Sequence, residues 1–282
     1  MEILIIGGSR FVGPLLVQNL LKKHSVTLFN RGKIKSNYEN VQFIQGDRNN
    51  GFNVNKKFDV VVDMCAYEGH QTEMAISQID FDFFVHFSTA AVYEKTDIFP
   101  LTEDSEIGSW PLWGEYNIGK VECENVLLQS GIKYASIRPV YILGPANYCD
   151  RENFIYSHIH SGLPLLLPGD GNSSVQFVFA KDVASSISLL IEKKATGAFN
   201  CAGSEIITLN GLVDEMGKIV GKSPNILFNA NRDGERFAEE EFPFANENFV
   251  CSNEKLRNLG VKFTPLLKGL ADDYKSYYSK FF

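Results

Sequence analysis

What the sequence does not contain narrows the field. Its longest apolar runs, such as Ile3–Ile6 and Leu163–Leu167, are only a strand long, far short of the roughly 20 residues of a membrane span. No membrane partner is therefore expected. No basic segment precedes the first apolar run and a glycine turn follows it at once, so no secretory leader is expected either. Positive charge is not in surplus: 27 Lys and Arg face 34 Asp and Glu, a formal charge of −7. Nucleic-acid binding usually draws on a basic surface that engages phosphate, so no nucleic-acid partner is expected. Cysteine is sparse and scattered, at Cys65, Cys123, Cys149, Cys201 and Cys251, with no CxxC. That spacing offers neither a disulfide frame nor a zinc site and suits a reducing, cytoplasmic setting. His158 and His160 have no third ligand at a useful spacing, so no metal is expected. There is no repeat and no low-complexity tract.

What is present is alternation. Short apolar runs at Ile3–Ile6, Val26–Phe29, Val41–Ile44, Val60–Val62, Phe83–Phe87 and Tyr134–Ile137 read as strands, and helical spacing lies between them, clearest at Val12, Leu16 and Leu20. Uniformly apolar strands separated by helices predict an α/β fold, a doubly wound parallel (Rossmann) sheet with ligands at the carboxyl ends of its strands. After Pro139 the pattern loosens into a stretch rich in Pro and Gly. Val175–Phe179 then reads as a strand, Asp182–Ile191 as a helix that Asp182 caps, and Ala198–Cys201 as a strand. Helices are expected near Leu209–Val220, Asn253–Leu259 and Leu266–Tyr278. The expected division is a dinucleotide-binding domain over 1–145, rejoined by 175–204, and a smaller C-terminal substrate lobe within 146–282.

The first strand runs into Gly7-Gly8-Ser9-Arg10-Phe11-Val12-Gly13 and then a helix. Strand, glycine turn and helix together form a pyrophosphate cradle: glycine admits close approach, and free amides at the helix start attract charge. Pro14 fits the first helical turn, which has no use for its missing N–H. This makes Gly7, Ser9, Arg10, Phe11 and Val12 candidates for cofactor contact. An Asp or Glu after the second strand would accept the ribose 2′-hydroxyl of NAD; here Asn30-Arg31-Gly32-Lys33 follow instead. Arg31 and Lys33 suit a 2′-phosphate, so NADP is favoured over NAD, although a solvated Arg31 stacking on adenine would serve either. Asp47 has two readings, a hydrogen bond to the adenine amino group or a turn cap.

The strand Phe83–Phe87 leads into Ser88-Thr89, setting hydroxyls at the carboxyl edge of the sheet. Tyr116 and Lys120 follow, four residues apart on one helix face, with Tyr116 lying 27 residues beyond Thr89. An ammonium beside a phenol favours phenolate, so the Tyr116 pKa is expected to fall from about 10 toward neutrality. That would make Tyr116 an acid/base for a carbinol oxygen. Trp110 and Trp113 either line the approach to Tyr116 or pack. The stretch Asn231–Asn246 reads as a substrate-side loop with no assignable residue.

In this order of motifs the chain resembles the short-chain dehydrogenase/reductase superfamily, in its extended and atypical members of the NAD-dependent epimerase/dehydratase type. The resemblance runs through Gly7–Gly13, Phe87–Tyr93, Tyr116–Lys120, Arg138-Pro139 with Gly144-Pro145, Lys181–Ala184, Gly197–Asn200 and Ser252–Leu256. It implies an NAD(P)-dependent oxidoreductase or epimerase that moves hydride at a carbinol carbon of a sugar or sugar nucleotide, and a homodimer. It places the base at Tyr116, its hydroxyl partner at Thr89, the ribose-binding lysine at Lys120, Ser88 on the neighbouring wall, and Pro139 to Ile142 running past the nicotinamide. Three departures stand out. Arg10 replaces the middle glycine, a variant similar to a branch that includes chloroplast proteins associated with RNA. A catalytically silent dinucleotide sensor or RNA-associated protein is therefore the rival reading. Ala90-Ala91 stand where 4,6-dehydratases carry Asp-Glu, so dehydration is not expected. Gln176 stands where nucleotide-sugar epimerases commonly hold the diphosphate with Arg.

Overall fold

Strands that are apolar on both faces must bury both, and the central ones do so in a seven-stranded parallel sheet. The computed structural model describes residues 1–34 and 38–282. The sheet is built from β1 (Glu2–Ile6), β2 (Ser25–Asn30), β3 (Val41–Gln45), β4 (Phe58–Asp63), β5 (Phe81–Phe87), β6 (Tyr134–Pro139) and β10 (Gly197–Cys201), in the order β10-β6-β5-β4-β1-β2-β3. Alternate residues of β1 feed separate cores. Ile3 and Ile5 pack with α1 (Val12–Leu21) and α5 (Ala180–Lys193). Leu4 and Ile6 pack with α2 (Gly69–Gln78) and, through Leu127, with α3 (Gly114–Ser130). Each such side chain, wholly removed from water, contributes roughly 1.5–3 kcal/mol. The doubly wound reading of the alternation therefore holds, with helices on both faces.

The later chain builds a smaller core. Strands β7 (Tyr141–Leu143), β9 (Ser174–Phe179) and β11 (Ile206–Thr208) form one sheet, and β8 (Pro164–Pro168) pairs with β12 (Asn225–Asn229). Around them lie α4 (Arg151–Ser161), α6 (Leu209–Val220) and α8 (Leu266–Ser276), filled by Tyr156, Phe177, Phe242 and Phe244. Of the segment 175–204 expected to rejoin the main sheet, β10 pairs with β6 and α5 covers α1. Strand β9 does not join; it pairs with β7 and β11, because Ile142 and Val178 register there side by side. Asp182 is not the cap of α5, which begins at Ala180. Its carboxylate instead accepts from the Thr264 amide at 2.7 Å and hydroxyl at 3.0 Å, pinning the C-terminal segment. No helix among the described residues is long and apolar enough to cross a membrane.

Candidate active site

A cleft of about 940 Å³ opens at the carboxyl ends of β1, β2, β4, β5 and β6. Its first wall is the glycine turn. A Cβ on Gly13 would stand 2.4 Å from the Gly8 backbone, so only glycine lets α1 start against that turn. Phe11 precedes α1 with a positive φ of 52°, a conformation a phenylalanine holds only under tertiary constraint. Gly7, Ser9, Arg10, Phe11 and Val12 all line the cleft, as expected for a cradle. Asn30 ties two turns together: its amide donates to the Gly7 carbonyl at 3.4 Å and its oxygen accepts from the Gly32 amide at 2.9 Å. Arg31, Lys33 and Asp47 reach the same wall. Asp47 takes the capping role, accepting from the Asn49 amide at 3.1 Å. Next to it, Arg48 donates to both oxygens of buried Asp63 at 2.7 and 2.9 Å and to the Gln71 carbonyl at 2.8 Å. Burial opposes the Asp63 charge, but Arg48 outweighs it and holds the carboxyl below its usual range.

Ser88, Thr89, Tyr116 and Pro139 line the same cleft, so residues separated by more than a hundred positions converge on one space. Thr89 Oγ1 accepts from the Ala91 amide at 3.2 Å, which fixes its rotamer. The Ser88 hydroxyl is committed elsewhere: it donates to Glu124 Oε1 at 2.6 Å. Glu124 also receives Ser136 at 2.8 Å and two arms of Arg138 at 2.9 and 2.6 Å, while Arg138 Nη1 donates to the Tyr93 hydroxyl at 3.0 Å. This buried network braces the strand ends that carry Ser88 and Pro139. Trp113 lines the cleft, whereas Trp110 is buried against Phe249. His158 and His160 meet the Phe154 carbonyl and the Tyr274 hydroxyl.

Two expectations require correction. The Tyr116 pKa is raised, not lowered: burial disfavours phenolate, and the Thr89 hydroxyl and the Arg151 charge oppose this without overcoming it. Lys120 shares the helix face of Tyr116 but does not line the cleft. Only 2% exposed, it donates from Nζ to the Phe87 carbonyl at 2.8 Å. The ammonium lies 5.0 Å from the Tyr67 ring centroid and 6.0 Å from that of Tyr116. Gly119 explains the cover, since a Cβ there would meet the Tyr67 carbonyl at 2.0 Å; α3 packs hard onto that residue. Burial also lowers the pKa of Lys120 itself.

With this geometry in place, likeness to known proteins becomes informative. The profile of the NAD dependent epimerase/dehydratase family matches residues 72–202. Over 97% of its length the chain is 31% identical to the chloroplast stem-loop binding protein of 41 kDa b of Arabidopsis thaliana, covering 78% of that protein. The chain belongs to the NAD dependent epimerase/dehydratase family. It is also similar, at 25% identity over 63% of its length, to an Arabidopsis trifunctional UDP-glucose 4,6-dehydratase, 3,5-epimerase and reductase, of which it spans 26%. Its fold matches UDP-glucuronic acid 4-epimerase from Bacillus cereus, solved with UDP-glucuronic acid and NAD, at a TM-score of 0.79, 20% identity and 100% coverage of both chains.

Against this family frame, the position of Gln176 is informative. Its side chain donates to the Gly203 carbonyl at 3.1 Å and accepts from the Cys251 amide at 2.7 Å, off the cleft. Sequence reasoning missed several cleft residues: Tyr67, Tyr148, Cys149 and Arg151, with Phe237, Glu239 and Pro243 from the unassigned loop. For Arg151 a signal existed, because it is the sole Lys or Arg between 139 and 174.

Glu152, beside Arg151, is buried with Oε1 accepting from the Gly144 amide and Oε2 from Asn147 at 3.3 Å. Burial pushes its pKa up to about 7. A carboxyl whose folded pKa is raised stabilises the fold while protonated, and that contribution is lost between the unfolded value of about 4.3 and the folded value. Glu152→Gln is therefore expected to gain on the wild type by up to about 3 kcal/mol as pH rises from 4.5 to 8. Buried His86, with its pKa lowered to about 3 chiefly by burial, titrates in the opposite sense in both proteins. The quantity to measure is thus the difference in thermal midpoint between the two across that range; a constant difference would refute the assignment.

Proposed function

We propose that this protein is a nicotinamide-dependent oxidoreductase or epimerase acting at a carbinol carbon of a sugar or sugar nucleotide. The observation that carries the reading is that the glycine turn, Thr89 and Tyr116 line one continuous cleft. The turn fits a dinucleotide, since Gly13 lets α1 start hard against Gly8 and Gly7 to Val12 line the cleft at that helix start. A bound nicotinamide dinucleotide would supply the hydride acceptor and donor. Tyr116 exchanges the proton of the substrate hydroxyl, and Thr89 orients that oxygen. Lys120 acts as a positioning residue, its ammonium fixed on the Phe87 carbonyl beneath Tyr67 and near Tyr116. Cofactor retained between half-reactions gives an epimerase; cofactor released gives a reductase. Ala90 and Ala91, both buried, offer no acid/base pair for dehydration. The names of the similar proteins, UDP-sugar epimerases and a UDP-glucose dehydratase, support a sugar-nucleotide substrate. A cytoplasmic homodimer, with residues 1–145 rejoined from α5 onward by 180–204 as the dinucleotide-binding domain, completes the reading.

NADP is the preferred cofactor on this view, because Arg31 and Lys33 line the cleft and no carboxylate follows β2 to repel a 2′-phosphate. Titration should find NADP bound about tenfold more tightly than NAD, and Arg31→Ala with Lys33→Ala should erase the gap. A wild-type preference for NAD would overturn this. The similarity to a protein named for stem-loop binding favours a second reading, RNA binding on the same fold. Incubation with UDP-glucose, UDP-glucuronic acid and UDP-N-acetylglucosamine plus either cofactor separates the two. Conversion supports the enzyme, whereas no conversion together with submicromolar stem-loop RNA binding supports the second reading.

A further inference from the structure

We infer that Arg151 is the anion anchor of the substrate: its guanidinium binds an oxyanion, carboxylate or phosphate, that the substrate carries apart from its reacting hydroxyl. The inference rests on the proposed function and deepens it. Arg151 opens α4 and lines the cleft together with Tyr116. Its Cζ lies 5.2 Å from the Tyr141 ring centroid and 5.7 Å from that of Phe244, so aromatic faces fix the plane of the guanidinium. Its donors are unspent. Nε is buried without a partner, and among the described residues the side chain makes no ion pair. Arg48, Arg138 and Arg232, by contrast, each hold a carboxylate.

The neighbouring acids do not quench it. Asp150 accepts from Asn153 at 3.0 Å, and Glu152 is turned to Gly144 and Asn147. Glu239 lines the cleft without pairing with it. The positive charge is felt at Tyr116, Tyr141, Tyr148 and Cys149, in each case favouring the ionised form, so it acts inside the substrate space. A planar cation with an unspent fork of donors is what a carboxylate or phosphate recognises bidentately. Gln176, at the position where the arginine was sought, spends its amide elsewhere. The cation thus comes from α4 instead.

The test is calorimetric binding to the NAD-saturated protein and its Arg151→Met and Arg151→Lys variants, with Met chosen to keep the packing between the two rings. The probes are UDP-glucuronic acid, glucose 1-phosphate, glucuronate and neutral methyl glucoside. Wild type should bind an anionic probe in preference to the glucoside. Arg151→Met should weaken that binding at least tenfold, Arg151→Lys less, and NAD affinity should not move. Glucuronate against glucose 1-phosphate tells carboxylate from phosphate. Equal binding of anionic probes by wild type and Arg151→Met, or no anionic preference in wild type, overturns the anchor. Arg151-dependent anion binding without turnover would instead sink the proposed function and leave the anchor standing.

Discussion

Replacement of Tyr116 by Phe is expected to cut kcat by roughly 10²–10⁴-fold, the usual worth of a positioned acid/base, with cofactor affinity within about twofold. The substitution removes only the hydroxyl. The ring stays 6.1 Å from that of Tyr67, so the wall of the cleft persists. Because burial raises the phenol pKa, the free enzyme is expected to gain kcat/KM toward alkaline pH, and this limb should vanish in the variant. Undiminished turnover, or an unchanged pH profile, would remove Tyr116 from the mechanism.

The largest effect on stability is expected at Arg138. Burial opposes the Glu124 charge, and two hydrogen bonds and the charge of Arg138 outweigh it, holding the Glu124 pKa below the usual range. Arg138→Met would leave a buried carboxylate with only Ser88 and Ser136 as donors. The cost of such an uncompensated charge is about 3–5 kcal/mol, visible as a fall in thermal midpoint. The double variant Arg138→Met with Glu124→Leu should recover most of it, since the penalty lies in the orphaned charge. A single variant as stable as wild type would show that the pair contributes little.

The parallel sheet was legible because its central strands β1, β4 and β5 are short runs apolar on both faces, alternating with helical spacing; edge strand β3, half polar and without a buried residue, gave a weaker signal. The lobe was less so. Strand β7 is three residues long and β8 is bounded by Pro164 and Pro168, so neither carries a strand signal. The glycine turn, Thr89 and Tyr116 could be placed because backbone geometry and helical spacing fix them locally. Neither the cover that Tyr67 lays over Lys120 nor the Glu124 partner of Arg138 could be placed. Each depends on two segments meeting through tertiary packing: Gly119 against Tyr67 across α3, and Glu124 against β6. Local charge logic for Tyr116 failed for the same reason. Desolvation in the cleft, which spacing does not report, sets the direction of the shift, while the amine is spent on the Phe87 carbonyl.

Strand β10 closes the main sheet beside β6, yet it is separated from it by β7, α4, β8, β9 and α5. On the ribosome, the edge of β6 therefore waits unpaired while some sixty further residues are synthesised (Pro139 to Gly197). An open parallel edge is a template for wrong partners. A nascent chain of this protein is thus most exposed to misassembly, and most in need of a chaperone, between completion of β6 and emergence of Cys201.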